Sequence, residues 1–354
     1  MTQLDEAGPI RTGEDLDVAR LEKWLRPHLP AEGPFVVEQF PSGHSNLTYL
    51  IKVGQQGFVL RRPPFGNQVK SAHDMGREYR VLSKLCEVYE PAPRPYAYCE
   101  DKGIIGDEFY VMERRHGLVL RRKNTPQELS SDPDRMRQLG FALIENLATL
   151  HTLDYEAAGL GELGRPDGYT ERQVTGWNRR YEKARTDDWP EVEQLGKWLV
   201  ENMPGDSTPG LVHNDYKYDN VMLSPDDYTK IVAVFDWEMA TIGDPLMDLG
   251  TTLSYWVQAD DAAEIRNVVF GPTVLPGSPT RAELVERYVQ ATGRDLPDLL
   301  YYFCFGMFKL AVILQQIYAR YARGMTQDER FAKLNLSVAA LGRSGIKASE
   351  SGHY

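Results

Sequence analysis

The order of apolar patterns predicts an α+β fold in two lobes. A small N-terminal lobe carries an antiparallel sheet and one key helix, and a larger, mainly helical lobe follows. Three observations carry this prediction. Runs rich in β-branched and aromatic residues crowd into residues 35–62. Patterns of helical period dominate from residue 117 onward. A pair of β-like runs at 221–235 interrupts them with a turn between. The expected division is a disordered start at 1–13, a first lobe at 14–115 and a second at 116–354.

Taken in order, residues 15–29 place Leu16, Ala19, Leu21, Trp24 and Leu25 at helical spacing, ending near Pro27. Strands follow at 35–40, 46–53 and 58–62, the last stopped by Pro63-Pro64. Residues 73–85 carry Met75, Tyr79, Leu82 and Leu85 on one helical face, with Glu78 among them. Pro91, Pro93 and Pro95 then break the chain, and 109–113 reads as another strand. In the second lobe, 133–151 is an amphipathic helix lined by Met136, Leu139, Leu143, Leu147 and Leu150. Residues 152–190 read as an insertion rich in Gly, Tyr and Arg, and helices are expected at 191–202, 246–256, 281–291 and 299–321. The tail from Leu341 is expected to be mobile.

Composition narrows the function. With 40 Lys and Arg against 51 Asp and Glu, the formal net charge is −11. Such a chain is a poor general partner for nucleic acid, although a nucleotide needs only a local cationic site. Three widely spaced cysteines, Cys86, Cys99 and Cys304, suggest neither a disulfide framework nor a zinc site. The N-terminus is polar, without a signal-peptide core. The most apolar stretch, 301–314, contains Lys309 and is short for a bilayer. A reduced cytoplasmic setting without a membrane partner is expected, and oligomeric state is left open.

The chemistry concentrates in 211–245. Leu211-Val212-His213-Asn214-Asp215 leads through Lys217 to Asn220, and an apolar run, Ile231-Val232-Ala233-Val234-Phe235, delivers Asp236. His-x-Asp-x-x-x-x-Asn is the spacing of a kinase catalytic loop. The hairpin between is expected to fold Asp236 back towards Asn220. Asp215 would orient an acceptor hydroxyl and take its proton, and Lys217 would reach the transferring phosphoryl group. Asn220 and Asp236 offer hard oxygen ligands for Mg²⁺. In the same frame, the turn at Ser42, Gly43 and Ser45 would cover the ATP phosphates. Strand alternation pairs Arg61 with Val59 on one face, so Arg61 rather than Arg62 is expected to face phosphate, held by Glu78. The backbone from Glu113 to Arg115 would meet adenine, with Met112 lining the pocket. A hydrolase elbow at Gly43-His44-Ser45 fails, because the closing glycine and the strand-turn-helix context are missing. Arg121-Arg122-Lys123 reads as a solvated loop or an anion site.

These motifs, with Phe235-Asp236-Trp237 and Gly243-Asp244-Pro245-Leu246-Met247-Asp248-Leu249, resemble the aminoglycoside phosphotransferase family of the protein-kinase-like superfamily. Within it they resemble the kinase-like domain at the N-terminus of acyl-CoA dehydrogenase family members ten and eleven, over about residues 15–330. The resemblance implies a protein-kinase-like bilobal fold with ATP in the cleft, Arg as a common strand-three cation, and Asp244 and Asp248 bracing the catalytic loop. It implies a small-molecule hydroxyl acceptor, such as a 4-hydroxyacyl-CoA. An aminoglycoside, choline or sugar acceptor is the alternative, and a nucleotide-binding pseudokinase is the reading from another class. The chain reaches Gly243-Asp244-Pro245 soon after Asp236, leaving no activation-loop platform for a peptide. Asp215, Asn220 and Asp236 together argue for an enzyme.

Overall fold

The computed structural model describes residues 6–41, 46–65, 74–121, 124–205, 207–266 and 270–354. It divides into two compact units. The first comprises Met1–Val119, Ala158–Leu160 and Asn220–Met239, and the second Leu120–Ala157, Gly161–Asp219 and Ala240–Tyr354.

The first unit is built on a five-stranded antiparallel sheet. Its strands are β1 (Phe35–Gln39), β2 (Leu47–Val53), β3 (Gln56–Arg62), β4 (Pro95–Cys99) and β5 (Phe109–Glu113), ordered β1-β2-β3-β5-β4. Helix α1 (Val18–Leu25) lays Leu21 and Leu25 against Tyr49, Ile51, Leu60, Phe109 and Val111. Helix α2 (Met75–Leu85) starts on an Asp74 cap, whose carboxylate accepts from the Arg77 amide. The expected disordered start needs correction over its described residues. Gly8 and Gln39 exchange backbone hydrogen bonds of 2.9 Å in both directions, so the segment extends the edge of the sheet. Strand β4 lies where prolines pointed to a break. Its first residue is Pro95, and the strand sits at the edge, where a missing N–H costs no ladder bond.

The hairpin of the first unit pairs Val221–Leu223 with Ile231–Val234. Leu118 and Leu223 bond each other's backbone at 2.9 and 2.8 Å, fastening the hairpin to the segment after β5. Met222 and Ala233 pack there against Val119, with Val232 and Phe235 beside them.

The second unit is helical: α3 (Pro133–Thr152), α4 (Tyr169–Ala184), α5 (Pro190–Glu201), α6 (Pro245–Tyr255), α7 (Arg281–Thr292), α8 (Leu299–Ala322) and α9 (Leu334–Ser351). The segment 152–190 contains helix α4, with turns and irregular chain on either side of it. Two short strands, Gly210–Val212 and Thr241–Gly243, pair antiparallel, the first leading directly into His213. Helix α8, 24 residues long, passes for a membrane span by length and composition, yet 78% of its most apolar window is buried in the protein. It meets α6 at glycines: a Cβ on Gly306 would stand 2.4 Å from the Gly250 carbonyl oxygen, so only hydrogen permits this approach. The mobile tail is also corrected. Leu341 is fully buried in α9, and Gly342 and Gly345 let that helix close on Val192 and Leu195 of α5. Small residues gave α9 little apolar periodicity to read.

Candidate functional site

In the first unit a single guanidinium joins two acids. Arg61 Nη1 lies 3.0 Å from Glu78 Oε1, and Nη2 lies 3.0 Å from Asp236 Oδ1. The register of β3 explains why Arg61 is the one. Side chains alternate across the sheet, and the neighbouring Arg62 donates instead to the carbonyls of Pro63 (3.0 Å) and Ile105 (2.8 Å) while stacking on Phe65. Glu78 is fully buried and also accepts from the Trp237 amide at 3.1 Å. It thereby fixes the backbone one residue past Asp236.

Asp236 itself has φ of 68°, in the left-handed region that Asp and Asn tolerate best. The hairpin performs the expected fold-back: the Phe235 amide donates to the Asn220 carbonyl at 2.8 Å, which seats Asp236 beside the turn at Asn220. Glu238 joins this cluster, accepting from Asn46 Nδ2 at 3.2 Å. Burial, then the charges of Asp236 and Glu78, push its carboxyl up to about 7. Three carboxyl groups near one guanidinium make a locally acidic cluster, and the hard oxygens of Asp236 and Asn220 suit Mg²⁺.

The expected adenine-facing residues lie at the end of β5. Met112 is buried opposite Val59. The Glu113 amide already donates to the Arg94 carbonyl at 2.7 Å. The Arg115 side chain reaches the Glu90 carbonyl at 3.2 Å and the Glu113 carboxylate, so its part in nucleotide binding would fall to its backbone. Ser42, Gly43 and Ser45, like Arg122 and Lys123, lie outside the described residues.

The two arginines predict separable variants. Arg61→Ala is expected to raise the KM for ATP by about 10–100-fold, the worth of charge-assisted hydrogen bonds of about 1.5–3 kcal/mol. Arg62→Ala should leave that KM near wild type and instead lower the melting temperature, because two buried carbonyls lose their donor. Measuring KM and melting temperature for both variants checks this, and exchanged phenotypes would contradict the register argument.

In the second unit His213, Asn214 and Asp215 are held from several helices. Asp248 of α6, fully buried, accepts from the His213 amide at 2.6 Å, the Asn214 amide at 2.9 Å and His151 Nε2 at 3.2 Å. Burial would raise its carboxyl, but the His151 hydrogen bond and the nearby charges of His151, His213 and Lys309 outweigh it and hold the pKa below the usual range. Asp244 caps α6, accepting from the Leu246 amide at 2.8 Å.

Asn214 has φ of 67°, and its side-chain oxygen accepts from Tyr169 Oη at 3.0 Å. Its carbonyl accepts from Lys309 Nζ at 2.6 Å. Asp215 Oδ1 accepts from Tyr255 Oη at 2.7 Å, and Oδ2 from the Lys217 ammonium. Burial works against the charged Asp215, yet Lys217 and the Tyr255 hydrogen bond lower its pKa below the ordinary aspartate range.

Lys309, Tyr169, Tyr255 and Glu238 were missed as site residues. Only Lys309 left a trace in the sequence, as a lone charge inside the most apolar segment.

Lys309 also predicts a pH dependence. Burial lowers its pKa from 10.5 to about 8, against the pull of Asp248 and Asp215. Between about pH 8 and 10.5 the folded chain therefore binds fewer protons here than the unfolded chain, so this group's contribution to stability rises with pH across that window. The stability difference between wild type and Lys309→Met, from denaturant titrations at several pH values, should shift in favour of wild type as pH climbs. A flat or falling difference would mean that Lys309 is not so perturbed.

Comparison with known proteins fits this geometry. The family described as the phosphotransferase enzyme family matches residues 36–298. Acyl-CoA dehydrogenase family member 11 of Rattus norvegicus is 34% identical over 353 residues, covering 94% of this chain and 43% of the relative. This chain thus spans less than half the length of that relative. A Ralstonia eutropha crystal structure, solved as a candidate aminoglycoside phosphotransferase, is 31% identical with a TM-score of 0.82, covering 95% of this chain and 99% of that one. A thermostable mutant of aminoglycoside phosphotransferase APH(4)-Ia, in ternary complex with ADP and hygromycin B, shares the fold at 18% identity and a TM-score of 0.58, covering 92% and 98%. The α+β, protein-kinase-like fold expected from the sequence is the one these structures share.

Proposed function

The chain belongs to the phosphotransferase enzyme family, and on that footing we propose that it moves the γ-phosphoryl group of ATP to a hydroxyl of a small molecule, a hydroxyacyl-CoA in the first instance. The observation that carries the reading is the bridge from Glu78 through Arg61 to Asp236. It holds a cation and a metal-type carboxylate as an organised pair, which phosphate binding requires and a structural turn does not.

Two sets of residues divide the work. In the first, the Arg61 fork would take phosphate oxygens and the backbone after Glu113 would meet adenine. Asp236 and Asn220 would hold Mg²⁺, and the ion when bound neutralises charge on the phosphates. In the second, Asp215 accepts a hydrogen bond from the acceptor hydroxyl, and Lys217 balances charge beside it. The acceptor oxygen bonds to the γ-phosphorus, and the bond to the β–γ bridging oxygen breaks. That electron pair leaves with ADP, and the acceptor proton passes to Asp215. The three free thiols fit a reduced cytoplasmic setting as part of this reading.

The hydroxyacyl-CoA assignment draws support from the 34% identical relative, whose name describes an acyl-CoA enzyme. An aminoglycoside is the second reading, favoured by the net charge of −11, which attracts polycations. ADP release measured against 4-hydroxyacyl-CoAs, aminoglycosides, choline and sugars separates them. Acceptor-dependent turnover with the thioesters alone is expected. Turnover only with cationic acceptors would replace the first reading by the second, and none with any alcohol would favour a nucleotide-binding module without transferase activity.

A further inference from the structure

The Asp215 carboxylate is gripped on both oxygens, and Tyr255 supplies one half of the grip and touches the other. Its hydroxyl donates to Asp215 Oδ1 at 2.7 Å. Its ring lies beneath the Lys217 ammonium, with Nζ 4.9 Å from the centroid, and that same ammonium holds Oδ2. Phe270 meets the Tyr255 ring edge-on at 5.0 Å between centroids, and Lys217 Nζ is also 5.7 Å from the Phe270 ring. Tyr255 is the last residue of α6, the helix whose Asp248 binds the amides of His213 and Asn214. One rigid helix thus orients both the backbone before Asp215 and the carboxylate itself.

Two donors on different oxygens fix the carboxylate torsion. Burial and the Asp215 charge hold the Tyr255 phenol well above its ordinary pKa, so it stays protonated and donates its proton in the bond to Asp215.

We propose that Tyr255 is a positioning residue for phosphoryl transfer: its hydroxyl sets the Asp215 carboxylate in the orientation that receives the acceptor proton. The inference rests on the reading of Asp215 as the group that faces the acceptor. The competing account is that a buried phenol merely needs an acceptor and finds Asp215. The two accounts differ in what loss of the hydroxyl does. Removing a donor makes Asp215 more basic, which by itself would leave the rate unchanged or raise it. Losing the orientation lowers it.

Tyr255→Phe separates them, because the ring contacts with Lys217 and Phe270 survive. The test uses the full chain, with ADP formation from ATP measured twice: with water as the acceptor, and with a 4-hydroxyacyl-CoA. Tyr255→Phe should lower kcat about 10-fold in the reaction that depends on Asp215, the worth of one hydrogen bond to a charged group. The KM for ATP and the melting temperature should stay near wild type. In an Asp215→Asn background the same change should do almost nothing further, since the two groups act as a unit. Wild-type kcat in Tyr255→Phe, or a loss that adds in full to that of Asp215→Asn, overturns the positioning role while leaving the base in place. If Asp215→Asn itself keeps wild-type kcat in both reactions, the base assignment fails instead, and the inference falls with it.

Discussion

Asp236→Asn is expected to abolish productive Mg²⁺·ATP binding and turnover, with kcat/KM falling by about 10³-fold or more. The carboxylate would be the metal's charged protein ligand, and metal charge stabilisation is worth several kcal/mol. The structure makes Asn a cleaner choice than Ala. Residue 236 has φ of 68°, a conformation Asn accepts and Ala resists by about 1–2 kcal/mol. Asp236→Ala would therefore add backbone strain to the lost ligand. Either change also strips Arg61 of one of its two acids, but Glu78 remains at 3.0 Å to hold the guanidinium. Asn220→Ala should act in the same direction and less severely, because it removes a neutral ligand. Calorimetry with ATP, with and without Mg²⁺, reads the effect directly. Unchanged Mg²⁺-dependent affinity in Asp236→Asn would remove this residue from the metal site.

What the sequence made legible were features with a local period or a local spacing. Alternation along β3 separated Arg61 from Arg62, and the apolar runs around 221–235 placed the hairpin that returns Asp236 to Asn220. These signals lie within a few residues of each other. What stayed hidden came from packing between distant segments. The bond from Lys309 to the Asn214 carbonyl spans 95 residues, and that from Tyr255 to Asp215 spans 40. No periodicity encodes either. Strand β4 was masked by Pro95 and the two prolines before it, and the cost of Pro95 vanishes at a sheet edge. Helix α9 was masked by glycine and alanine, which pack through closeness rather than apolar bulk. The pairing of Leu118 with Leu223, which fastens the hairpin to the segment after β5, was equally unreadable, because the two lie far apart in the chain.

Asp215→Asn should lower kcat on the true acceptor by ~10²–10⁴-fold, the usual worth of a positioned general base. The shape is kept and the proton acceptor is lost. ATP affinity should change little, because this carboxylate is engaged with Tyr255 and Lys217 and serves the acceptor rather than the nucleotide. The variant has one local complication. Asp219 is the other carboxylate of the loop, and its pKa is raised, first by burial, with the Asp215 charge adding to it and Lys217 and Arg121 opposing it. Neutralising residue 215 removes that repulsion and frees Lys217 from its carboxylate, so Asp219 becomes more acidic and a poorer substitute base. The loss should therefore not be rescued from within the loop. Paired measurements of kcat and ATP dissociation constant on one acceptor decide the matter. A variant with wild-type kcat on that acceptor would take Asp215 out of the proton transfer. A variant that loses ATP binding in step with kcat would assign Asp215 to the nucleotide instead.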